Sequence, residues 1–342
     1  MGDYASAGVD EEREQAAFAA VMRPWLSKTA VSRAGVEVVA GIGAGGFASV
    51  LSLGPGLPSV AVTTDGVGTK IEIARLVGRY EGIGVDVVAN NVNDLICIGA
   101  DPVAMVDYIA LDSVDEAVLG ELARGMFLGA DAAGVAVVGG EIAQVSSLLA
   151  ARSPGDPVVF DLVGTAIGVL NSAIVDGSAV SPGDVVIGLR SSGLHSNGYT
   201  LARSVLADRI TSLADQLLEP TRVYVPAARA LWAAGVDVHA MVHISGGGLL
   251  NLLRSAAAVG YVLDALPEPP AIFGELASVP AAERYATFNM GIGLCVVVSP
   301  EDAAAAVGAM GEGTVIGRVV DGPDRRVELP AVGLVGRGDS FS

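Results

Sequence analysis

The feature that most constrains the fold is a repeated junction, at which a short apolar run ends in a polar, glycine-rich turn. Four such junctions occur along the chain, and they read T-D-G-V-G-T-K (64–70), V-V-G-G-E (137–141), S-S-G-L-H-S-N-G (191–198) and H-I-S-G-G-G (243–248). Amphipathic segments of helical length lie between the apolar runs. This alternation predicts a mixed α/β (α+β) protein. The length of 342 residues predicts two domains, with limits at 1–170 and 171–342.

Composition excludes several classes of protein. The chain is 51% hydrophobic and carries a net charge of −18, which disfavours nucleic acid as a partner because phosphate binding relies on clustered lysines and arginines. No apolar run reaches the length of a membrane span, and the acidic N-terminus does not resemble a secretory signal. Cys97 and Cys295 lie in apolar runs and are expected to be buried, reduced thiols. These features fit a soluble cytoplasmic enzyme.

The turn at 64–70 combines residue types that suit a bound anion, a bound metal, or both. It contains Asp65, Gly66, Gly68, Thr69 and Lys70, and the chain has only two lysines. A plain turn would not need an acid and a lysine together. The glycines allow a phosphate to approach the backbone, whereas the leading acid suits a metal ion.

Two further segments add hard oxygen ligands. Asn93 and Asp94 precede an apolar stretch in N-N-V-N-D-L-I, and Glu141 ends the run V-V-G-G-E. Mg²⁺ binds carboxylates together with substrate phosphates, so Asp65, Asp94 and Glu141 are candidate ligands in a Mg-nucleotide site. Taken one at a time, each acid could equally be a helix cap or a solvated turn residue.

The segment G-I-G-A-G-G at 41–46 matches the dinucleotide fingerprint G-x-G-x-x-G. That motif must open a full helix, but F-A-S-V-L-S-L runs directly into G-P-G-L-P and allows barely two turns. A glycine-rich flap over phosphate, with Gly43, Gly45 and Gly46 as binding residues, fits the segment better. An ordinary loop is the alternative.

All three histidines lie in or beside two Gly/Ser-rich loops of the second half. Each loop leads into a predicted helix, which suits an anion. The candidate substrate-binding residues are Ser192, Ser196, Asn197, Gly246 and Gly247. His195 and His243 are candidate catalytic residues, since an imidazole can donate or accept a proton near neutral pH. Buried structural histidines are the alternative.

Together these motifs resemble a known family. T-D-G-V-G-T-K, V-N-D-L-I-x-x-G-A-D-P, S-S-G-L-H-S-N-G-Y-T-L-A-R, H-I-S-G-G-G and T-F-N-M-G-I-G occur in the order seen in the aminoimidazole ribonucleotide synthetase, or phosphoribosylformylglycinamidine cyclo-ligase, family. The resemblance covers about residues 4–320. It implies a PurM-like two-domain fold and a homodimer whose N-terminal domains join in a β-barrel, with nucleotide near that interface.

The resemblance also implies the reaction and the residue roles. ATP would phosphorylate the formyl oxygen of formylglycinamidine ribonucleotide, and an amidine nitrogen would then displace phosphate. By position, Asp65, Asp94 and Glu141 would hold Mg²⁺, Thr69 and Lys70 would face phosphate, and His195 and His243 would lie near the ribonucleotide. The sequence departs from the bacterial pattern after Glu141, where G-G-E-I-A-Q-V replaces G-G-E-T-A-E-M. The alternatives are a superfamily paralogue that phosphorylates a different small amide or acid, and a nucleotide-binding pseudoenzyme.

Overall fold

The protein is described from a computed structural model, which covers residues 16–22, 24, 35–40, 47–149, 156–170 and 173–342. Two mixed sheets with helices packed on them confirm the predicted α/β class. In the described part of the chain, all strands of the first sheet precede residue 171 and all strands of the second follow it. A short π-helix, Phe18–Met22, precedes the first strand.

The first sheet has six strands in the described residues, in the order β1-β2-β3-β6-β4-β5. Their bounds are β1 Glu37–Ala40, β2 Ser49–Ser52, β3 Ser59–Gly66, β4 Asp101–Leu111, β5 Ala136–Gln144 and β6 Phe160–Leu170. Neighbouring strands are antiparallel, except that β4 and β5 are parallel. Residues that are paired across β3, β6 and β4 project from the same face of the sheet. Successive residues along each strand project from opposite faces.

Between β3 and β5 the described residues form three α-helices, with the bounds α1 Lys70–Val77, α2 Glu81–Cys97 and α3 Glu116–Ala133. Helix α2 is almost wholly buried and lies between the sheet, α3 and the second half of the chain. Helices α2 and α3 approach each other through Gly84 and Gly125. A Cβ added at Gly125 would come within 1.8 Å of the Glu81 carbonyl oxygen, so only glycine permits this contact.

The second sheet has eight strands among the described residues, in the order β14-β13-β12-β9-β11-β7-β10-β8. Their bounds are β7 Val185–Arg190, β8 Val238–His243, β9 Val259–Val262, β10 Ile292–Val298, β11 Thr314–Asp321, β12 Val327–Leu329, β13 Leu334–Arg337 and β14 Ser340–Phe341. Strand β10 is buried along its whole length. It holds the strands that carry the two Gly/Ser-rich loops side by side.

The helices of the second half are short. The α-helices are α4 Tyr199–Val205, α5 Ala214–Leu217, α6 Val225–Ala233, α7 Ile272–Glu275, α8 Ala281–Thr287 and α9 Ala303–Met310, and the 3₁₀ helices are Ala207–Arg209, Gly248–Arg254 and Pro330–Val332. The sequence after the G-G-G turn predicts a helix over 249–258, and the structure has a 3₁₀ helix there, Gly248–Arg254. Its start is fixed by packing, since a Cβ at Gly248 would lie 2.2 Å from the Tyr285 carbonyl oxygen.

Ser113 and Glu116 have the spacing of a capping box, which predicts an N-cap at Ser113, but the N-cap lies two positions later. Asp115 is the N-cap of α3, and its carboxylate accepts hydrogen bonds from the N–H groups of Ala117 and Val118. An ionised acceptor binds these amides more strongly than a hydroxyl would. Ser113 donates to Asp112 instead.

Both cysteines are buried and free, as predicted. Burial raises the pKa of both thiols, and for Cys295 it does so to about 12. In the part of the chain that the structure describes, no helix has both the length and the apolar character that crossing a membrane requires.

Candidate active site

The acidic turn, residues 64–70, begins in the last residues of β3 and is held against helix α2 by two buried asparagines. Asn90 donates to the Gly66 carbonyl oxygen at 3.1 Å, and Asn91 donates to the Asp65 carbonyl oxygen at 3.1 Å and to the Val87 carbonyl oxygen at 2.8 Å. Buried backbone carbonyls need such partners. The asparagines in an otherwise apolar helix therefore fix the turn beside Asp94, which lies on the same helix.

The surroundings of Asp65 disfavour the ionised form of its carboxyl. Desolvation raises the pKa of its carboxyl to about 6, the Asp94 carboxylate adds to the rise, and the Gly66 N–H, His243 and Arg254 oppose it. The Gly66 N–H donates to Asp65 Oδ1 at 2.8 Å. A cation bound between two carboxylates offsets their mutual repulsion. The carboxylate oxygens of Asp65 and Asp94 are hard ligands of the kind that Mg²⁺ prefers.

Glu141 does not join this pair. Register pairs Asp65 with Gly164 and Gly164 with Asp107, whereas Glu141 pairs with Tyr108, the next residue of β4. Because side chains alternate along a strand, Glu141 projects from the opposite face to Asp65. Within the described residues, no three His, Cys, Asp or Glu side chains converge as a metal-binding group. The three-carboxylate arrangement is therefore not assembled within this chain.

His243 stands at the end of β8 and contacts Asp94 directly. Its Nδ1 lies 2.9 Å from Asp94 Oδ1, its N–H donates to the Cys97 sulfur at 3.1 Å, and its carbonyl accepts from Asn251 at 3.2 Å. The carboxylate accepts a hydrogen bond from Nδ1–H, and in this tautomer the lone pair is on Nε2. Nε2 is buried and has no hydrogen-bond partner among the described residues.

His195 is also buried, and its ring centroid lies 6.4 Å from that of His243. The Ser192 N–H donates to its Nε2 at 3.3 Å, and its backbone adopts a positive φ of 62°. Desolvation lowers its pKa well below the usual range, and His243, Lys70 and Arg222 lower it further. His195 is therefore neutral at physiological pH and lies beside His243, which in turn contacts Asp94.

A recess of about 400 Å³ joins the two halves of the chain. It is lined by the acidic turn on one side and by the loop before α4 on the other, and the lining includes Asp65, Gly66, Gly68, Thr69, Asn90, Asp161, Ser196, Asn197, Gly198 and Thr200. Thr69 and Thr200 meet across it, with hydroxyl oxygens 3.0 Å apart. The structure thus brings together most of the phosphate-binding residues predicted from the first turn and two of those predicted from the second half.

Lys70 and Asn93 face the interior rather than this recess. Lys70 is fully buried and contacts both carboxylate oxygens of Asp86, at 2.8 and 3.0 Å, and the Glu219 carbonyl oxygen at 2.8 Å. Asn93 donates to the Arg222 carbonyl oxygen at 2.8 Å and accepts from the Tyr224 N–H at 2.9 Å. Both side chains therefore have partners across the two halves of the chain, in place of the predicted contact with nucleotide.

Gly246 and Gly247 line a separate cavity of about 900 Å³. Gly247 has a φ of 94°, and Asn251 ties the loop by donating to the hydroxyl of Ser245 at 3.2 Å. Ser192 donates to the Pro220 carbonyl oxygen at 2.5 Å, which gives it a structural partner. Gly43, Gly45 and Gly46, in the predicted flap, lie outside the described residues.

Sequence reasoning missed three residues that line these spaces, namely Asp161, Thr200 and Arg254. Asp161 is the second residue of β6, and Thr200 is the second residue of α4. Neither position carries a local signal, because each becomes part of a site only through long-range strand and domain pairing. Arg254 had a weak signal, since it is the first basic residue after the G-G-G turn.

Comparison with known proteins identifies the family of the chain. Residues 45–170 match the family model described as AIR synthase related protein, N-terminal domain, and residues 181–330 match AIR synthase related protein, C-terminal domain. The chain belongs to the AIR synthase family. This confirms the family that the sequence motifs indicated.

Two relatives in the AIR synthase family match over nearly their whole length. A protein of Methanothermobacter thermautotrophicus named phosphoribosylformylglycinamidine cyclo-ligase is 41% identical, and the match covers 97% of this chain and 98% of that one. A protein of the same name from Thermosynechococcus vestitus is 39% identical, over 96% and 99% of the two chains.

Solved structures show the same fold at low identity. AaThiL complexed with AMPPCP and TMP matches with a TM-score of 0.66 and 16% identity, over 97% of this chain and 98% of that chain. The hydrogenase maturation protein HypE in complex with ATP matches with a TM-score of 0.59 and 20% identity, over 80% and 83%. These likenesses confirm the PurM-like fold.

Proposed function

We propose that the chain catalyses the ATP-dependent ring closure of formylglycinamidine ribonucleotide to aminoimidazole ribonucleotide, with release of ADP and phosphate, in purine biosynthesis. The observation that carries the proposal is the full-length similarity to cyclo-ligases, at 41% identity, in a chain whose two glycine-rich loops meet in one recess. The paralogue and pseudoenzyme alternatives have no comparable support.

The recess suits the ATP phosphates. Gly66 and Gly68 leave the backbone open to a phosphate, and Thr69 and Thr200 offer hydroxyl donors on the two sides. Asp65 and Asp94 would hold Mg²⁺, which when bound neutralises phosphate charge. A cation here also favours the ionised form of Asp65, whose pKa of about 6 otherwise lies close to neutrality.

The reaction then needs a group that accepts a proton. The formyl oxygen takes the γ-phosphoryl group, the amidine nitrogen attacks the resulting imidate carbon, and the C–O bond to phosphate breaks while the nitrogen loses a proton. His243 Nε2 is the candidate acceptor, since the Asp94 contact holds the proton on Nδ1 and keeps the Nε2 lone pair free. Asp94 also stabilises the imidazolium that forms.

We propose a homodimer built on the face of the first sheet that points away from α2. Val106, Tyr108 and Ile167 are 38%, 43% and 37% exposed there, whereas Met105 and Ile109, at alternate positions of β4, are buried against the helix side. Such an apolar sheet face favours association. Glu141 projects from this same face, so in the dimer it would lie at the interface, where the family resemblance also expects nucleotide.

One assay tests the activity. The protein is incubated with ATP, Mg²⁺ and formylglycinamidine ribonucleotide, and the aminoimidazole product is measured, with a metal-chelated sample as control. We expect product only when all three components are present. ATP consumption without aminoimidazole product would favour the paralogue, and ATP binding without any turnover would favour the pseudoenzyme.

A further inference from the structure

Arg254 is an exposed cation within electrostatic reach of Asp65. The sequence motifs predict no role for it. It is the last residue of the 3₁₀ helix that follows the Gly246–Gly247 loop. Within the described residues its guanidinium makes no ion pair and no hydrogen bond, and its Cζ lies over the face of Phe47, 5.1 Å from the ring centroid. In contrast, Arg222, Arg229 and Arg318 all have carboxylate partners.

The position of Arg254 is fixed from both sides. The cation–π contact with Phe47 restrains the guanidinium on one side. Arg325 donates to the carbonyl oxygens of Leu253 and Ser255, the latter at 2.6 Å, and so holds the backbone on either side of Arg254. The guanidinium is therefore held in place without using its hydrogen-bond donors.

Three unused donor groups line the same cavity of about 900 Å³. They are the guanidinium of Arg254 and the backbone N–H groups of Gly246 and Gly247, for which the described residues provide no acceptor. Two acids also line the cavity. Asp324 is paired with Arg326 and Arg337, at 2.6 and 3.1 Å, which leaves Asp339 as the opposing charge.

A phosphate monoester matches this set of donors. A dianion can accept from a guanidinium fork and from two main-chain amides at once. In a protein with a net charge of −18, an unpaired cation beside glycine amides is an unusual local environment. The loop that carries Gly246 and Gly247 follows directly on His243, whose Nδ1 lies 2.9 Å from Asp94 Oδ1, so the cavity lies close to the proposed metal ligands.

We infer that Arg254, with the amides of Gly246 and Gly247, binds the 5′-phosphate of the ribonucleotide substrate. This inference rests on the proposed function for the identity of the substrate, and it deepens that proposal by naming the residue that selects a phosphorylated sugar. ATP phosphates share the same chemistry, so the test must separate the two sources.

The test compares Arg254→Gln and Arg254→Lys with Arg318→Gln, which removes an equal charge from an exposed position of the same domain. For Arg254→Gln we expect the KM for the ribonucleotide to rise about 10- to 100-fold, the range for one charge-assisted contact. The KM for ATP and the melting temperature should not change. Arg254→Lys should recover part of the loss, and Arg318→Gln should match the parent.

Two further measurements make the result decisive. The dephosphorylated ribonucleoside should be a poorer substrate for the parent, and Arg254→Gln should discriminate less between nucleoside and nucleotide. Calorimetry with ribose 5-phosphate should show weaker binding to Arg254→Gln than to the parent, and this readout needs no turnover. An inactive parent whose ribose 5-phosphate binding depends on Arg254 would refute the proposed function and leave the phosphate site standing.

The inference is overturned by either of two outcomes. In the first, Arg254→Gln keeps the parent's KM for the ribonucleotide and its ribose 5-phosphate affinity. In the second, the KM for ATP rises while that for the ribonucleotide stays constant, which would assign Arg254 to the ATP phosphates.

Discussion

Replacing Lys70 by methionine distinguishes a structural role for its buried ammonium from the phosphate-binding role that its motif predicts. In the structure the ammonium and the Asp86 carboxylate are both fully buried, and Asp86 Oδ1 also accepts from the N–H and the hydroxyl of Thr221, each at 2.7 Å. Lys70→Met would leave the carboxylate buried without its counter-charge. Breaking a buried pair in this way costs about 3–5 kcal/mol, so we expect the melting temperature to fall by roughly 5–15 °C.

The double variant Lys70→Met/Asp86→Asn tests the cause. Asparagine keeps an oxygen acceptor for Thr221 but carries no charge, so the double variant should be more stable than Lys70→Met alone by about 1–3 kcal/mol. Arg79→Met is the control, because Arg79 and Asp215 form an exposed pair between the same two halves worth about 0–1 kcal/mol.

Thermal unfolding and calorimetric ATP titration should be run on the same samples. We expect Lys70→Met to lose stability while the fraction that remains folded binds ATP as the parent does. A variant with an unchanged melting temperature and a large loss of ATP affinity would refute the structural role and restore Lys70 as a phosphate ligand.

Two other predictions concern the chemistry and the assembly. His243→Asn should lower turnover by roughly 10²–10⁴-fold with ATP binding retained, whereas His239→Asn, which alters a histidine paired with Asp184 at 2.7 Å, should turn over like the parent; equal rates for both variants would exclude His243 as the proton acceptor. Tyr108→Asp should shift the protein from dimer to monomer in light scattering, whereas Val315→Asp, at a 48% exposed position of the second sheet, should not; a parent that is already monomeric would contradict the proposed interface.

The sequence predicted which residues lie near the site better than it predicted where their side chains point. Asp65 and His243 stand at the ends of apolar runs and Asp94 precedes one. The structure places Asp94 against His243 and within electrostatic reach of Asp65. Lys70 belongs to the same motif as Asp65, yet it points inward. Its partner Asp86 lies sixteen residues away, and Glu219 and Thr221 lie in the other half of the chain.

Glu141 shows the same limit in a sheet. Its place at a strand end was predictable from V-V-G-G-E, but the face from which it projects depends on the register between β4 and β5. A shift of one residue reverses that face. Register is set by the packing of the whole sheet, so a local motif could not reveal that Asp65 and Glu141 point in opposite directions.

The contact between α2 and α3 extends the mutational sensitivity of the site well beyond its lining. Helix α2 carries Asp94 and the asparagines that hold the acidic turn, and its position is set by a backbone that Gly125 lets approach. A single methyl group at Gly125 would collide with the main chain of α2 at 1.8 Å, which no rotamer change can relieve. Variation at Gly125, a residue with no ligand to bind, would therefore displace the whole row of polar groups on α2 and be tolerated as poorly as variation at Asp94 itself.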